Sequence, residues 1–289
     1  MTIRNPIEWS GSQLVQAAHV MRVAGHSLHH IQETIHSPAP AVRRIRISDV
    51  RDALKQGFVD FEAYRTDVIF LGVVYVAVGL VLARFAFGMD LLPLLFPLAS
   101  GFAIVGPFAA VGLYEMSRLR EQDVEVKWTN AFDVFRAPAI GAISILGLAL
   151  IATFLVWLTA AWGIYNATLG PEEPQSIGTF LNDVFFTSAG WTLIVVGVGV
   201  GFLFAVFAMC ISVVSFPLLL DRDVGLDTAV RTSVRAVANN IVPMAVWGLI
   251  VAAALVIGSI PLFIGLVVVI PVLGHATWHL YRKLIANPV

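Results

Sequence analysis

A set of apolar runs, each about as long as a bilayer is thick, constrains this chain more than any other feature. A helix crossing the hydrocarbon core needs about 20 mostly apolar residues. Val68–Phe87, Leu91–Tyr114, Pro138–Tyr165 and Ala189–Leu220 each reach that length, the last with enough to spare to require tilt. Ile241–Trp278 carries no Lys, Arg, Asp or Glu and is too long for one crossing. Gly258-Ser259-Ile260-Pro261 supplies a turn near its middle, which divides it into two short spans. The expected count is six. Composition agrees, since only 13% of residues are charged and the mean hydropathy is +0.85, whereas water-soluble domains carry about 25% charged residues.

Positive charge orients these spans. Eight Lys/Arg residues precede the first run, four lie in the second loop, three in the fourth and two in the tail, so seventeen of eighteen fall on one side. The loop 166–188 holds Glu172, Glu173 and Asp183 and no basic residue. The positive-inside bias makes the basic side cytoplasmic, with both termini on it. The exception, Arg84, sits near the outer end of the first run, where it can snorkel to the headgroups. No apolar run among the first sixty residues is long enough for a secretory signal, so the amino terminus is expected to stay where it is made. The single cysteine, Cys210, has no intrachain disulfide partner.

Amphipathic segments precede the odd-numbered spans. Val50, Leu54, Phe58 and Phe61 share a helical face, as do Trp128, Ala131, Phe132 and Phe135, and again Leu226, Val230, Val234 and Val237. Asp227, Arg231 and Arg235 form an i, i+4 charge ladder. Pro107, Tyr114 and Arg118 have the spacing of Pro271, Trp278 and Arg282. The expected architecture is an all-α polytopic membrane protein of three hairpins, each led by a cytoplasmic amphipathic helix with its apolar stripe toward the spans. The units run over about 47–120, 124–222 and 224–284 within a domain 47–285, after an amino-terminal helix 1–36 and a Pro-containing linker 37–46.

The segment Arg46–Phe61, RISDVRDALKQGFVDF, the segment VGLDTAVRTSVRAVANNIVP and the six-span plan together resemble a bacterial integral membrane family, domain-of-unknown-function family 2189. The likeness extends over about residues 44–284. It implies a bacterial inner membrane and a six-helix fold, and it brings no catalytic residues.

Few groups suggest chemistry. The segment 13–35 reads as a helix with His19, His26, His29 and His30, followed by His36. His26, His30 and Glu33 project from one face at i, i+4 and i+7, a spacing that suits Zn²⁺ or another transition metal. The plainer reading is a polar face beside an apolar one resting on membrane or a partner; docking sensitive to histidine protonation is a third. His275 and His279 form a second i, i+4 pair, read as interfacial anchors beside Trp278 and Tyr281. The spans hold almost no ionisable groups, which argues against an ion-coupled pump. Gly197-x-x-x-Gly201 is a helix-packing face. No phosphate loop or nucleophile elbow is present, and no cofactor or nucleic acid is implied. The expected function is that of a non-enzymatic accessory or assembly subunit in a larger membrane complex, such as a respiratory one, contacting lipid and other membrane subunits. A carrier or channel for a small neutral or lipophilic solute is the alternative.

Overall fold

The computed structural model describes residues 34, 37–63, 92–171, 174, 176–261 and 264–286. Their regular structure is helical, apart from one isolated antiparallel bridge between Val42 and Ile285. The expected first span, Val68–Phe87, lies outside the described residues, as does the amino-terminal helix with His26, His30 and Glu33.

In chain order the helices are α1 (Ile47–Ala63), α2 (Leu95–Ala109), α3 (Val111–Glu121), a 3₁₀ segment (Trp128–Arg136), α4 (Ile140–Thr168), α5 (Ile177–Phe186), α6 (Ser188–Ser212), α7 (Ser215–Asp221), α8 (Leu226–Asn239), α9 (Ile241–Ser259) and α10 (Leu266–Leu284). Among the described residues, three helical stretches are long and apolar enough to cross a membrane: α4, α6 continued by α7, and α9. The pair α2–α3 makes a fourth if counted as one span, bent by 41°. Pro107 lies inside α2 just before that bend and donates no backbone hydrogen bond. The acidic loop 166–188 contains a helix that the sequence reading left out, α5, started by Ser176 accepting the Thr179 N–H at 3.1 Å.

The apolar body packs α2, α4 and α6 through glycines set against aromatic rings. Trp157 of α4 is buried, donates its indole N–H to Ser100 Oγ at 2.8 Å and lies 5.6 Å from the Phe204 ring. A Cβ at Gly201 would sit 3.0 Å from Trp157, and one at Gly147 would sit 2.5 Å from Phe108. Gly197 has nothing within 4 Å of such an atom, so the two glycines of that motif face different surroundings.

At one end of the body the elements close into a ring. The helices that finish each apolar hairpin, α3, α7 and α10, touch one another. The amphipathic segments flank them in a fixed order: the 3₁₀ segment packs on α3, α8 packs on α6 and α7, and α1 packs on α10. Each junction is a close approach of small residues. A Cβ at Gly57 of α1 would meet the backbone of Ala276 at 2.5 Å. One at Gly112 of α3 would meet the Ala131 carbonyl at 2.8 Å. Ser215 of α7 donates to the Ala229 carbonyl of α8 at 3.2 Å. The break between α6 and α7 leaves the Val214 N–H without a helical acceptor, and Ser233 Oγ accepts it at 3.2 Å.

The expectation that the large apolar stripes face the spans holds only in part: Val50 and Phe61 are buried and Leu54, Leu226, Val230 and Val237 pack against the core, but other stripe residues turn outward. The buried faces are Val50, Ala53, Gly57, Asp60 and Phe61 on α1, Ala131 and Val134 on the 3₁₀ segment, and Thr228, Ala229, Thr232, Ser233 and Ala236 on α8. Phe58, Phe132 and Phe135 are 47%, 48% and 66% exposed. Small side chains let the ring helices approach closely, and Phe58, Phe132, Phe135 and Val234 are left outside.

The segment 37–46, read from its prolines as a linker, is strapped across the same end. Ser37 Oγ accepts the Gly225 N–H at 2.9 Å. The Arg43 N–H donates to the Leu284 carbonyl at 2.7 Å, and the Ala286 N–H to that of Ala41 at 3.1 Å. Buried Asn240 clasps the strap, accepting the Ile45 N–H at 2.7 Å and donating to the Arg43 and Ala236 carbonyls, each at 3.0 Å.

Candidate functional site

The ring end gathers most of the charge that the apolar body excludes. Asp60 sits on the inward face of α1, 4% exposed. Its Oδ2 accepts from Ser117 Oγ of α3 at 2.7 Å and from His279 Nε2 of α10 at 2.8 Å. Its Oδ1 accepts from the Arg120 guanidinium at 2.5 Å. Burial alone would raise the Asp60 pKa; the hydrogen bonds from His279 and Ser117 and the nearby imidazoles outweigh it and hold the carboxyl below its ordinary range.

The network continues outward from this hub. Glu121 lies 3.9 Å from His279 Nδ1 and 3.1 Å from the Arg282 Nε. Arg282 also reaches Asp221 at 3.3 Å, and Asp221 accepts from the Tyr281 hydroxyl at 2.5 Å. Beside it Arg118 grips Glu115 through two hydrogen bonds, at 2.6 and 2.8 Å, and the Arg118 pKa is raised by that pairing. Asp60, Glu121, Asp221 and Arg282 thus tie α1, α3, α7 and α10 together where the ring closes.

Ser117, His275 and Asp60 are the residue types of a hydrolase triad, but they are wired differently. In a triad the imidazole takes the proton of the serine hydroxyl. Here Ser117 gives that proton to Asp60, so its oxygen accepts from His275 Nδ1–H at 2.8 Å. This assignment follows from the hydrogen-bond network. A serine held that way is not activated as a nucleophile. It also leaves His275 Nε2 as a bare acceptor, fully buried and without a hydrogen-bond partner among the described residues.

The reading of His275 and His279 as interfacial anchors is therefore corrected. His275, Trp278 and Tyr281 are fully enclosed, and both histidines serve the hub. Their i, i+4 spacing was visible in the sequence, but their partners at positions 60 and 117 were not. The charge ladder does form in part, with Arg231 at 3.7 Å from Asp227. Among the described residues no group of three or more His, Cys, Asp or Glu side chains is placed to hold a metal ion.

An apolar bundle capped by a sealed polar ring is what a membrane protein presents, and comparison with known families agrees. Residues 94–221 match the model of a family described as "Predicted integral membrane protein (DUF2189)". That stretch of the chain is similar to the family. The resemblance seen in the sequence is thus the right one, although the matched stretch runs from the end of the 3₁₀ turn Leu92–Leu94 to the end of α7. The two motifs that suggested it, at 46–61 and 224–243, lie outside that stretch. No curated protein and no solved structure matches the chain.

Proposed function

We propose that this integral membrane protein is a non-enzymatic subunit of the bacterial inner membrane that associates side by side with other membrane proteins, as an accessory or assembly factor of a larger complex. The observation behind this reading is α6 with its continuation α7, whose most apolar window is only 6% buried inside the fold. Val195, Val198, Phe202, Leu203 and Phe207 point away from the body. Gly197 and Gly199 leave room that no other described residue fills. Small-residue notches on membrane helices let a second helix approach closely, and Gly201, filled by Trp157, shows how this chain uses such a notch internally. The test is mild-detergent purification from the native membrane. A subunit retained in fixed stoichiometry and lost on Gly197→Leu with Gly199→Leu, at unchanged melting temperature, is the expected result. A lone monomer that moves a neutral solute across vesicles would favour the second reading, a carrier, which the bend between α2 and α3 and the proline inside α10 support.

The finer topology belongs to the same proposal: six crossings, three parallel units, both termini cytoplasmic. The ordered junctions of the ring support three units, because each sets a small residue of an amphipathic segment against a small residue of the helix it meets: Gly57 against Ala276, Ala131 against Gly112 and Ala229 against Ser215. Cysteines introduced at 125 and 231 in a Cys210→Ala background are expected to be shielded from an impermeant reagent in intact cells, and one at 183 to react. Labelling at 125 or 231 from outside would refute the arrangement.

A further inference from the structure

We propose that the three amphipathic segments form a collar that binds anionic phospholipid headgroups of the leaflet at the ring end of the bundle. Its centre is the 3₁₀ segment Trp128–Arg136. Trp128, Phe132 and Phe135 stand outside the fold and in contact with one another, with ring centroids 6.0 and 6.3 Å apart. Lys127 begins this cluster, and Arg136 ends it with its side chain 88% exposed and only a long 3.5 Å approach to Asp133. Four residues after Arg136 the membrane-crossing helix α4 begins. So short a tether fixes the depth of the cluster at the boundary between acyl chains and headgroups, where aromatic rings are favoured and basic groups meet phosphate.

The same sectors recur on the other two segments. With about 100° of rotation per residue, Ile47 and Phe58, both about half exposed, share one edge of α1 with the half-buried Leu54, beside its buried face. Arg51 and Lys55 lie on the far side of that edge. On α8 Val234 is 41% exposed, beside Val230 and Val237, which are half-buried against the core, and Arg231 and Arg235 lie beyond that edge. Among the described residues Arg51, Lys55, Lys127 and Arg235 have no ion-pair partner, while Arg231 is shared with Asp227 at 3.7 Å. Small side chains toward the bundle, bulky apolar ones toward acyl chains and cations toward phosphate is the order of layers in one leaflet. Charge complementarity and the tether to α4 together identify the occupant as an anionic lipid.

The experiment uses the full chain in detergent, with phosphatidylglycerol or phosphatidylcholine added in short-chain form and binding read by thermal shift. Phosphatidylglycerol is expected to stabilise the protein at concentrations where phosphatidylcholine does little. Lys127→Gln with Arg136→Gln is expected to weaken the phosphatidylglycerol response about 30-fold, since each basic residue near an anionic surface contributes about fivefold. The lipid-free melting temperature of that variant should stay at the wild-type value, because both side chains are exposed. Phe132→Ser with Phe135→Ser should weaken the response to either lipid. Equal responses to the two lipids, an undiminished response in the Lys127→Gln/Arg136→Gln protein, or reproduction of the effect by inorganic phosphate alone would overturn the assignment.

Discussion

Asp60→Ala is expected to destabilise the detergent-solubilised protein by about 3 kcal/mol, the usual cost of breaking a buried charged pair by removing one partner. The substitution removes the shared acceptor of Ser117, His279 and Arg120, at the point where α1 closes the ring against α3 and α10. Ser117→Ala should cost about 1 kcal/mol, the usual worth of a single hydrogen bond. Thermal or denaturant melts compare the two, and equal small losses would mean that the hub does not hold the ring. Its pH dependence has a definite sign. Asp60 has a folded pKa below its unfolded value of about 3.9, so its contribution is complete above that value and is lost as pH falls through the folded pKa. The melting-temperature gap between wild type and Asp60→Asn should therefore be constant from neutral pH to about pH 5 and narrow below about pH 4.

Gly57→Val is the second large effect. Any Cβ at this position falls 2.5 to 2.6 Å from the backbone and Cβ of Ala276, and helix backbones do not yield as side-chain tips do. Overpacking of this kind costs about 1–3 kcal/mol, sometimes more, and here it must either part α1 from α10 or break the Asp60 hub three residues on. Gly197→Ala is the control. Its Cβ meets none of the described residues within 4 Å, so it should be neutral or stabilise the helix by up to about 1 kcal/mol. Melts of the two single variants measure the contrast. If Gly57→Val melts like wild type, the ring is not closed by this contact.

The contrast between Gly57 and Gly197 shows where sequence reading reaches its limit. Both are glycines in helical segments, and the sequence offers Gly197-x-x-x-Gly201 as the more obvious packing motif. Yet Gly57 lies in the tightest helix contact of the ring, while Gly197 meets none of the other described residues. The amphipathic segments teach the same lesson. Periodicity correctly placed Phe58, Phe132 and Val230 on apolar edges, but an apolar edge beside a bilayer has two apolar neighbours, the bundle and the lipid. Hydrophobicity alone does not choose between them: of two phenylalanines on α1, Phe61 is buried and Phe58 is 47% exposed.

Local pattern therefore determined the helical class, the membrane setting, the long spans of α4 and α9 and the break after Gly258, because the length of an apolar run and the absence of charge are properties of neighbours in the chain. It also exposed the i, i+4 pairing of His275 with His279 and the charge ladder on α8. Tertiary structure alone decided that Asp60 meets Ser117, Arg120 and His279 across separations of 57 to 219 residues. It alone decided that Asn240 clasps the strap and that the small faces turn inward. Those choices depend on which helices come within a few ångströms of one another, and a buried hydrogen bond records nothing in its own stretch of sequence about a partner far along the chain.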